Sequence, residues 1–328
     1  MADDRHERGS TSAAMAAVSE GGAETGPDVE FDRSFVAAHG TAVCVAPGVQ
    51  RITCGNASPF TYEGTNSYIV GTGETVALID PGPENDAHFD ALMAALGHRN
   101  LSHIFVSHTH RDHSPLSHRI KNATGALTVA EGPHRAARPL HEGEVNPFAE
   151  SADTGFVPDI AAADGATIAG DGWSLTAVHT PGHTANHSAF ALDGSGILFS
   201  ADHVMAWATT IVAPPDGSMS DFMASVEKLL GRDDRIFFPG HGGPVSEPQS
   251  FLRGLRMHRR MRERAILERI RGGDRLIPDM VRAIYARTDV RLHGAAALSV
   301  LAHLEDLVEK GQVFTAGPPS LSGEYRPA

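Results

Sequence analysis

The run SHTHRDH at residues 107–113 constrains this chain more than any other segment. Side chains on extended backbone alternate with period two, so His108 and His110 fall on one side. The loop that follows can turn Asp112 and His113 toward a second centre. Imidazole and carboxylate are ligands for zinc, iron and manganese. A solvated loop with chance histidines is the plain alternative, and the ligand-like spacing argues against it. Three later segments supply what such a run needs opposite it. TPGHT puts His183 at a tight turn, FSADH puts Asp202 at a strand end, and FPGHG puts His241 just past a strand. Each is weak alone, since a lone histidine after Pro-Gly is more often a turn residue. Together they make five histidines and two aspartates, enough for two metals sharing a bridging carboxylate and a bridging water.

The surrounding pattern predicts an α/β domain. Short apolar runs from about residue 40 read as strands at 65–71, 75–82, 103–113 (running into the ligand loop), 125–131, 172–184, 188–194, 196–204 and 235–243, with helices at 86–97 and 221–231. Several strands end at once in a ligand-capable residue: Asp80, His108, His183, Asp202 and His241. Strands alternating with helices suggest sheets held between helical layers. Past Pro248 the character changes to helices at 250–271, 278–287 and 295–311 and a short strand, QVFTAG, the outline of a winged helix. The expected organisation is a disordered tail at 1–35, a catalytic domain at 36–250, a winged-helix-like domain at 251–318 and a flexible tail at 319–328.

Composition removes some classes. No apolar run approaches the ~20 residues that a spanning helix needs, so no membrane partner is expected. The first residues lack the basic start and apolar middle of a signal peptide. Cys44 and Cys54 are the only cysteines, too few for a disulfide framework, and a cytoplasmic location with free thiols is expected. A net charge of −13 argues against coating nucleic acid by bulk electrostatics, though a local basic patch is compatible with it.

The ordered ligand set resembles the metallo-β-lactamase superfamily over roughly residues 40–250. The resemblance implies an αββα sandwich carrying a dinuclear metal-dependent hydrolase. It implies that His108, His110 and His183 bind the first metal, that Asp112, His113 and His241 bind the second, and that Asp202 bridges. Asp80, in LIDPG, matches the family's first motif as a supporting carboxylate; a turn cap is its plainer reading. Zinc is the first expectation, with manganese or iron also compatible. The implied chemistry is attack by a metal-bridging hydroxide, with Asp112 orienting the nucleophile or taking its proton. His187, four residues past His183, is a candidate proton donor to the leaving group; a structural role is its plainer reading.

SPFTYEGTNSYIVG, PGHTANH, FPGHGGPV and the C-terminal helices resemble the beta-lactamase-like protein 2 type. That implies hydrolysis of phosphodiester bonds in single-stranded RNA. Arg253, Arg256, Arg259, Arg260, Arg262 and Arg264 are candidate contacts to a phosphate backbone, against a solvated helix face held by charge pairs. A thioesterase or glyoxalase II-like hydrolase of small esters and thioesters shares the whole ligand set. A non-catalytic nucleic-acid-binding regulator is a third reading, opposed by the intact ligands. Phe60, Tyr62, Trp173 and Trp207 are read first as packing residues, with lining of the site as the alternative. Oligomeric state, a homodimer included, is not written in the sequence.

Overall fold

The computed structural model describes residues 29–328. Two sheets pack face to face. One has seven strands in sequence order: β1 (Val43–Ala46), β2 (Val49–Thr53), β3 (Asn66–Val70), β4 (Thr75–Ile79), β5 (Asn100–Phe105), β6 (Leu127–Ala130) and β7 (Ile160–Ala161). The other has five, in the order β12 (Ile236–Pro239), β11 (Ile197–Ala201), β10 (Ser188–Leu192), β9 (Trp173–His179) and β8 (Thr167–Gly170). Helices α1 (Asp86–Leu96) and α2 (Leu116–Thr124) lie in the first half of the chain. α3 (Met219–Leu230) lies between β11 and β12, and α4 (Pro248–Arg271) follows β12.

Period-two alternation sorts the strand residues into three apolar layers. Tyr68, Ala77, Ile79 and Phe105 of the first sheet meet Leu175, Phe190, Phe199 and Phe238 of the second. Ile69, Leu78 and Ile104 face outward onto Leu92 and Leu96 of α1 and Leu116 and Ile120 of α2. Ala189, Leu198 and Phe237 face outward onto Met219, Phe222 and Val226 of α3 and Leu252 and Leu255 of α4. The central strands are buried on both faces, which is why β3, β4 and β11 read as near-continuous apolar runs. The expected αββα sandwich is the architecture observed.

Caps set the helix limits. Asn85 accepts from the His88 amide at 2.9 Å to start α1, and Ser218 accepts from the Asp221 amide at 3.3 Å to start α3. The sequence reading has no helix at α2, whose LSHRIKNAT offers a narrow apolar stripe. Gly125, left-handed at φ 78°, closes it.

The C-terminal unit joins α5 (Ile277–Ile284), α6 (His293–Glu309) and the pair β13 (Val313–Thr315) and β14 (Tyr325–Pro327). Its core includes Ile266 and Ile270 from the far end of α4. That helix therefore serves both cores, and a cut near residue 250 would run through a shared element. Residues 319–328, expected to be a flexible tail, instead supply β14, and Tyr325 is fully buried with its hydroxyl donating to the Ser320 carbonyl at 2.7 Å. Of the expected tail at 1–35, residues 1–28 lie outside the described residues. Val29 is buried in the α3–α4 layer and Phe31 packs edge-on against Phe251, because apolar side chains there find an open edge of that layer. Cys44 and Cys54 are free. No helix among the described residues is long and apolar enough to cross a membrane.

Tyr325→Ala should cost about 3–5 kcal/mol, the usual range for emptying a large buried aromatic site. Urea unfolding of the variant and the parent checks this, and an unchanged midpoint would mean that β14 contributes nothing.

Candidate metal centre

Strand direction gathers the candidate ligands. β4 and β5 run parallel with Ile79 opposite Phe105, so Asp80 and the SHTHRDH loop leave the first sheet side by side. β11 and β12 run parallel with Ala201 opposite Pro239, so Asp202 and the loop to His241 leave the second sheet together. β10 is antiparallel to both β9 and β11, so β9 also ends at this edge, just before His183. Asp80 at φ 48° and Ala201 at φ 44° are non-glycine residues in left-handed backbone, one at the end of β4 and one just before Asp202. Such strain is kept where the surroundings over-determine it. Gly240 is required by contact, since a Cβ there would stand 2.5 Å from Asp202 Oδ1 and 2.7 Å from His113 Cε1.

All seven candidates come together. His110 Nδ1 lies 3.1 Å from His108 Nε2 and 3.0 Å from His183 Nε2. His241 Nε2 lies 3.3 Å from His113 Nε2 and 3.2 Å from Asp112 Oδ2. Asp202 stands between the groups, its Oδ2 3.3 Å from His241 Nε2 and 3.7 Å from His183 Nε2. Its Oδ1 is 3.4 Å from His113 Nε2 yet has no aligned donor.

The ring partners fix the tautomers. His183 Nδ1 donates to the Ile211 carbonyl at 2.7 Å, His241 Nδ1 to the Gly64 carbonyl at 3.2 Å, and His113 Nδ1 to Asp80 Oδ2 at 3.0 Å. Ser107 Oγ donates to Asp80 Oδ2 at 2.7 Å and so accepts from His108 Nδ1 at 3.0 Å. In the neutral form of each of these four rings the lone pair falls on Nε2, facing the cluster. Burial, then neighbouring imidazoles, hold His108 well below the ordinary histidine value, and burial and His183 hold His110 down to about 3. Burial also depresses His183. Burial would depress His113 and His241 too, but Asp112 and Asp202 outweigh it, pushing His113 well up and His241 to about 9. Burial would raise Asp112 and Asp202; the same two histidines hold both well below the carboxylate range. Converging imidazole nitrogens and two carboxylates, Asp202 buried and Asp112 half-buried, make a donor set that fits divalent cations, and three overlapping His/Asp groups here could each hold one.

A cleft of about 410 Å³ opens over the cluster. Phe60, Phe148, Met205, Ile211 and Ala213 give it an apolar wall, with Arg111, Glu150 and Asp216 among its polar lining. His187 is elsewhere: it is buried, with its ring 5.2 Å from that of His108 and 5.8 Å from that of His203, and its Nδ1 is 2.9 Å from Thr180 Oγ1. Burial and His203 hold it well below its ordinary value. The expected donation of a proton to a leaving group does not fit this placement, because a donor must reach the cleft. Phe60 lines the cleft, Tyr62 stacks on Trp207 at 4.9 Å, and Trp173 is core.

Three supporting residues were not singled out from the sequence. Ser107 gives Asp80 both its amide and its hydroxyl, each at 2.7 Å. Asn66 donates to the Pro239 and Gly242 carbonyls on either side of His241. Thr210 Oγ donates to the Asp202 carbonyl at 2.6 Å. Serine, asparagine and threonine are ordinary loop residues, and only the fold gives them these partners. Asp80→Asn should weaken binding of the more loosely held metal about 10–100-fold, the usual effect of losing a ligand-orienting carboxylate. Metal content after graded dialysis, with circular dichroism as the fold control, checks this; unchanged retention would make Asp80 a turn cap.

The family model of the Metallo-beta-lactamase superfamily matches residues 61–241, and that of the Beta-lactamase associated winged helix domain matches residues 277–318. A Beta-lactamase-like protein 2 homolog from Drosophila melanogaster is 28% identical over 291 residues, 83% of this chain and 94% of that protein. An atrochrysone carboxyl ACP thioesterase from Paecilomyces divaricatus is 29% identical over 206 residues, 61% of this chain and 57% of that protein. The crystal structure of a Beta-lactamase domain protein from Burkholderia ambifaria superposes with a TM-score of 0.74 at 18% identity, covering 91% of this chain and 97% of that one. The first model spans more than half of the chain and contains every clustered ligand candidate, so this protein belongs to the metallo-beta-lactamase superfamily and is a metal-dependent hydrolase with a C-terminal winged-helix domain.

Proposed function

We propose that the protein hydrolyses small acyl thioesters at a two-metal centre. The observation that carries this reading is the cleft, an apolar-walled recess of about 410 Å³ above the ligand cluster. It has the size and lining of a small-molecule site. The thioesterase name borne by a relative at 29% identity adds support.

The single-stranded RNA reading is less well supported by the same surfaces. Sequence-tolerant binding of a single strand uses a cationic groove with stacking aromatics. Of the six candidate arginines of α4, Arg253 and Arg264 stay exposed, and the other four are unavailable to such a track. Arg256 and Arg260 pair with Glu227, and Arg259 and Arg262 are buried. α6 contains no lysine or arginine and ends in Glu305, Asp306 and Glu309. The same acidic helix weakens the reading as a nucleic-acid-binding regulator.

His108, His110 and His183 would hold one cation, Asp112, His113 and His241 the other, and Asp202 both. Zinc is the proposed metal, with manganese and iron chemically compatible. When bound, such ions supply Lewis acidity and make nearby water more acidic. Asp112 is the ligand candidate whose carboxylate is most open to the cleft, 27% exposed, and it is placed to orient the attacking water and take its proton. Phe60, Phe148 and Met205 seat the acyl chain and exclude bulk water. A cytoplasmic location is proposed with this reading, where acyl thioesters are made and used.

Asp112→Ala should lower kcat for acyl thioesters by roughly 10²–10⁴-fold, the range for loss of a positioned base, while circular dichroism stays unchanged. Chelation should abolish the parent activity and added zinc should restore it. Cleavage of labelled single-stranded RNA by the metal-loaded parent, lost in Asp112→Ala and unaccompanied by thioester hydrolysis, would replace this reading with the nuclease.

A further inference from the structure

A second cavity, of about 80 Å³, lies between the catalytic sandwich and the C-terminal unit. Phe60, Met205 and Ile211 line both it and the catalytic cleft, so the two adjoin. Its far wall is Arg259, Arg262 and His258 of α4. Arg259 is 3% exposed and Arg262 is 8% exposed. Among the described residues neither has a carboxylate within salt-bridge distance, and no acidic side chain lines the cavity. This occurs in a chain with 40 acidic residues, whose half-buried Arg256 and exposed Arg260 on the same helix both pair with Glu227.

The hydrogen bonds leave donors over. Arg259 donates to the Thr210 carbonyl and lies over the Phe222 ring at 4.9 Å, but its Nε has no acceptor. Arg262 lies over Tyr285 at 4.7 Å and approaches His258 Nε2 at 3.5 Å. A guanidinium only donates, so His258 accepts at Nε2 and carries its proton on Nδ1, which has no partner either. Buried cations and unpaired donors without an anion are costly. A tetrahedral oxyanion accepts from several donors at once and matches the guanidinium fork. At roughly 10–15 Å³ per water-sized site, the cavity has room for a group of a few heavy atoms.

We infer that this inter-domain cavity is a phosphate subsite, which holds a phosphate on the thiol arm of the substrate while the acyl group reacts in the adjoining cleft. The inference rests on the thioesterase reading for its substrate, and on the arginine geometry alone for its ligand.

The test uses the full-length metal-loaded protein with S-acetyl phosphopantetheine and S-acetyl pantetheine, which differ by the phosphate. The parent should prefer the phosphorylated substrate in kcat/KM by about ten-fold or more, the effect of one lost charge-assisted hydrogen bond. The preference should fall toward one in Arg262→Gln and in Arg259→Gln, and persist in Arg260→Gln, which alters an exposed arginine of the same helix. Equal rates in the parent would overturn the subsite and leave the thioesterase standing. Hydrolysis of neither substrate would overturn the thioesterase. In that case inorganic phosphate decides. A rise in thermal midpoint that Arg262→Gln loses and Arg260→Gln keeps supports the subsite, and a rise shared by all, or absent from the parent, overturns it. Circular dichroism identifies any arginine variant that fails to fold, and Arg262→Gln, with no bond to the catalytic domain, serves if Arg259→Gln does not.

Discussion

The carboxylate of Asp80 ties the ligand loop to the sheet. It sits in left-handed backbone at the end of β4 and accepts from the Ser107 amide, the Ser107 hydroxyl and His113 Nδ1. Those bonds set the direction in which SHTHRDH leaves β5 and commit two imidazoles to facing the cluster through Nε2. The opposite side is built in the same way from other parts. Asn66 brackets the His241 turn, and Gly240 lets Asp202 and His113 approach where a methyl group would collide with both. Parallel pairing of β4 with β5 and of β11 with β12 brings these two halves to one edge. The cluster is thus a property of strand direction first and of side-chain chemistry second.

The buried imidazoles and carboxylates would be expensive in an apolar sandwich if left alone. The structure offsets part of that cost internally. Asp112 and Asp202 hold protons on His113 and His241, and backbone carbonyls orient His183 and His241. A divalent cation would take the place of those protons, leaving the Nε2 lone pairs and the two carboxylates as its ligands. The same reasoning applied to α4 gives the reverse result, since Arg259 and Arg262 are buried donors with no internal acceptor of matching charge.

α4 connects the two observations. Its first turns pack on the second sheet, its last turns join the C-terminal core, and Arg259 in the middle bonds the Thr210 carbonyl, in the segment whose Ile211 carbonyl holds His183. The C-terminal domain has the elements of a winged helix, yet α6 is largely buried and lacks cations. The domain walls the second cavity, through Tyr285, Leu292 and Ser299, and its outline alone is a poor guide to the ligand.

The sequence by itself determined the sandwich and the metal-ligand candidates. A His-x-His-x-Asp-His run has few other uses, and strands buried on both faces cannot avoid reading as apolar runs. It also determined the outline of the C-terminal helices through their periodicity. It left α2 unread because a short helix with two large apolar residues, Leu116 and Ile120, carries a weak pattern, and it left β14 unread because a three-residue strand is specified by its partner. Only the tertiary structure decided which arginines are buried, that His187 lies behind the cluster, and that Ser107, Asn66 and Thr210 serve it. Burial and hydrogen-bond partners are relations between segments far apart in the chain, such as Asn66 with Gly242 or Arg259 with Thr210. No local pattern of residues encodes them, because the energy of a polar group depends on what the fold puts beside it.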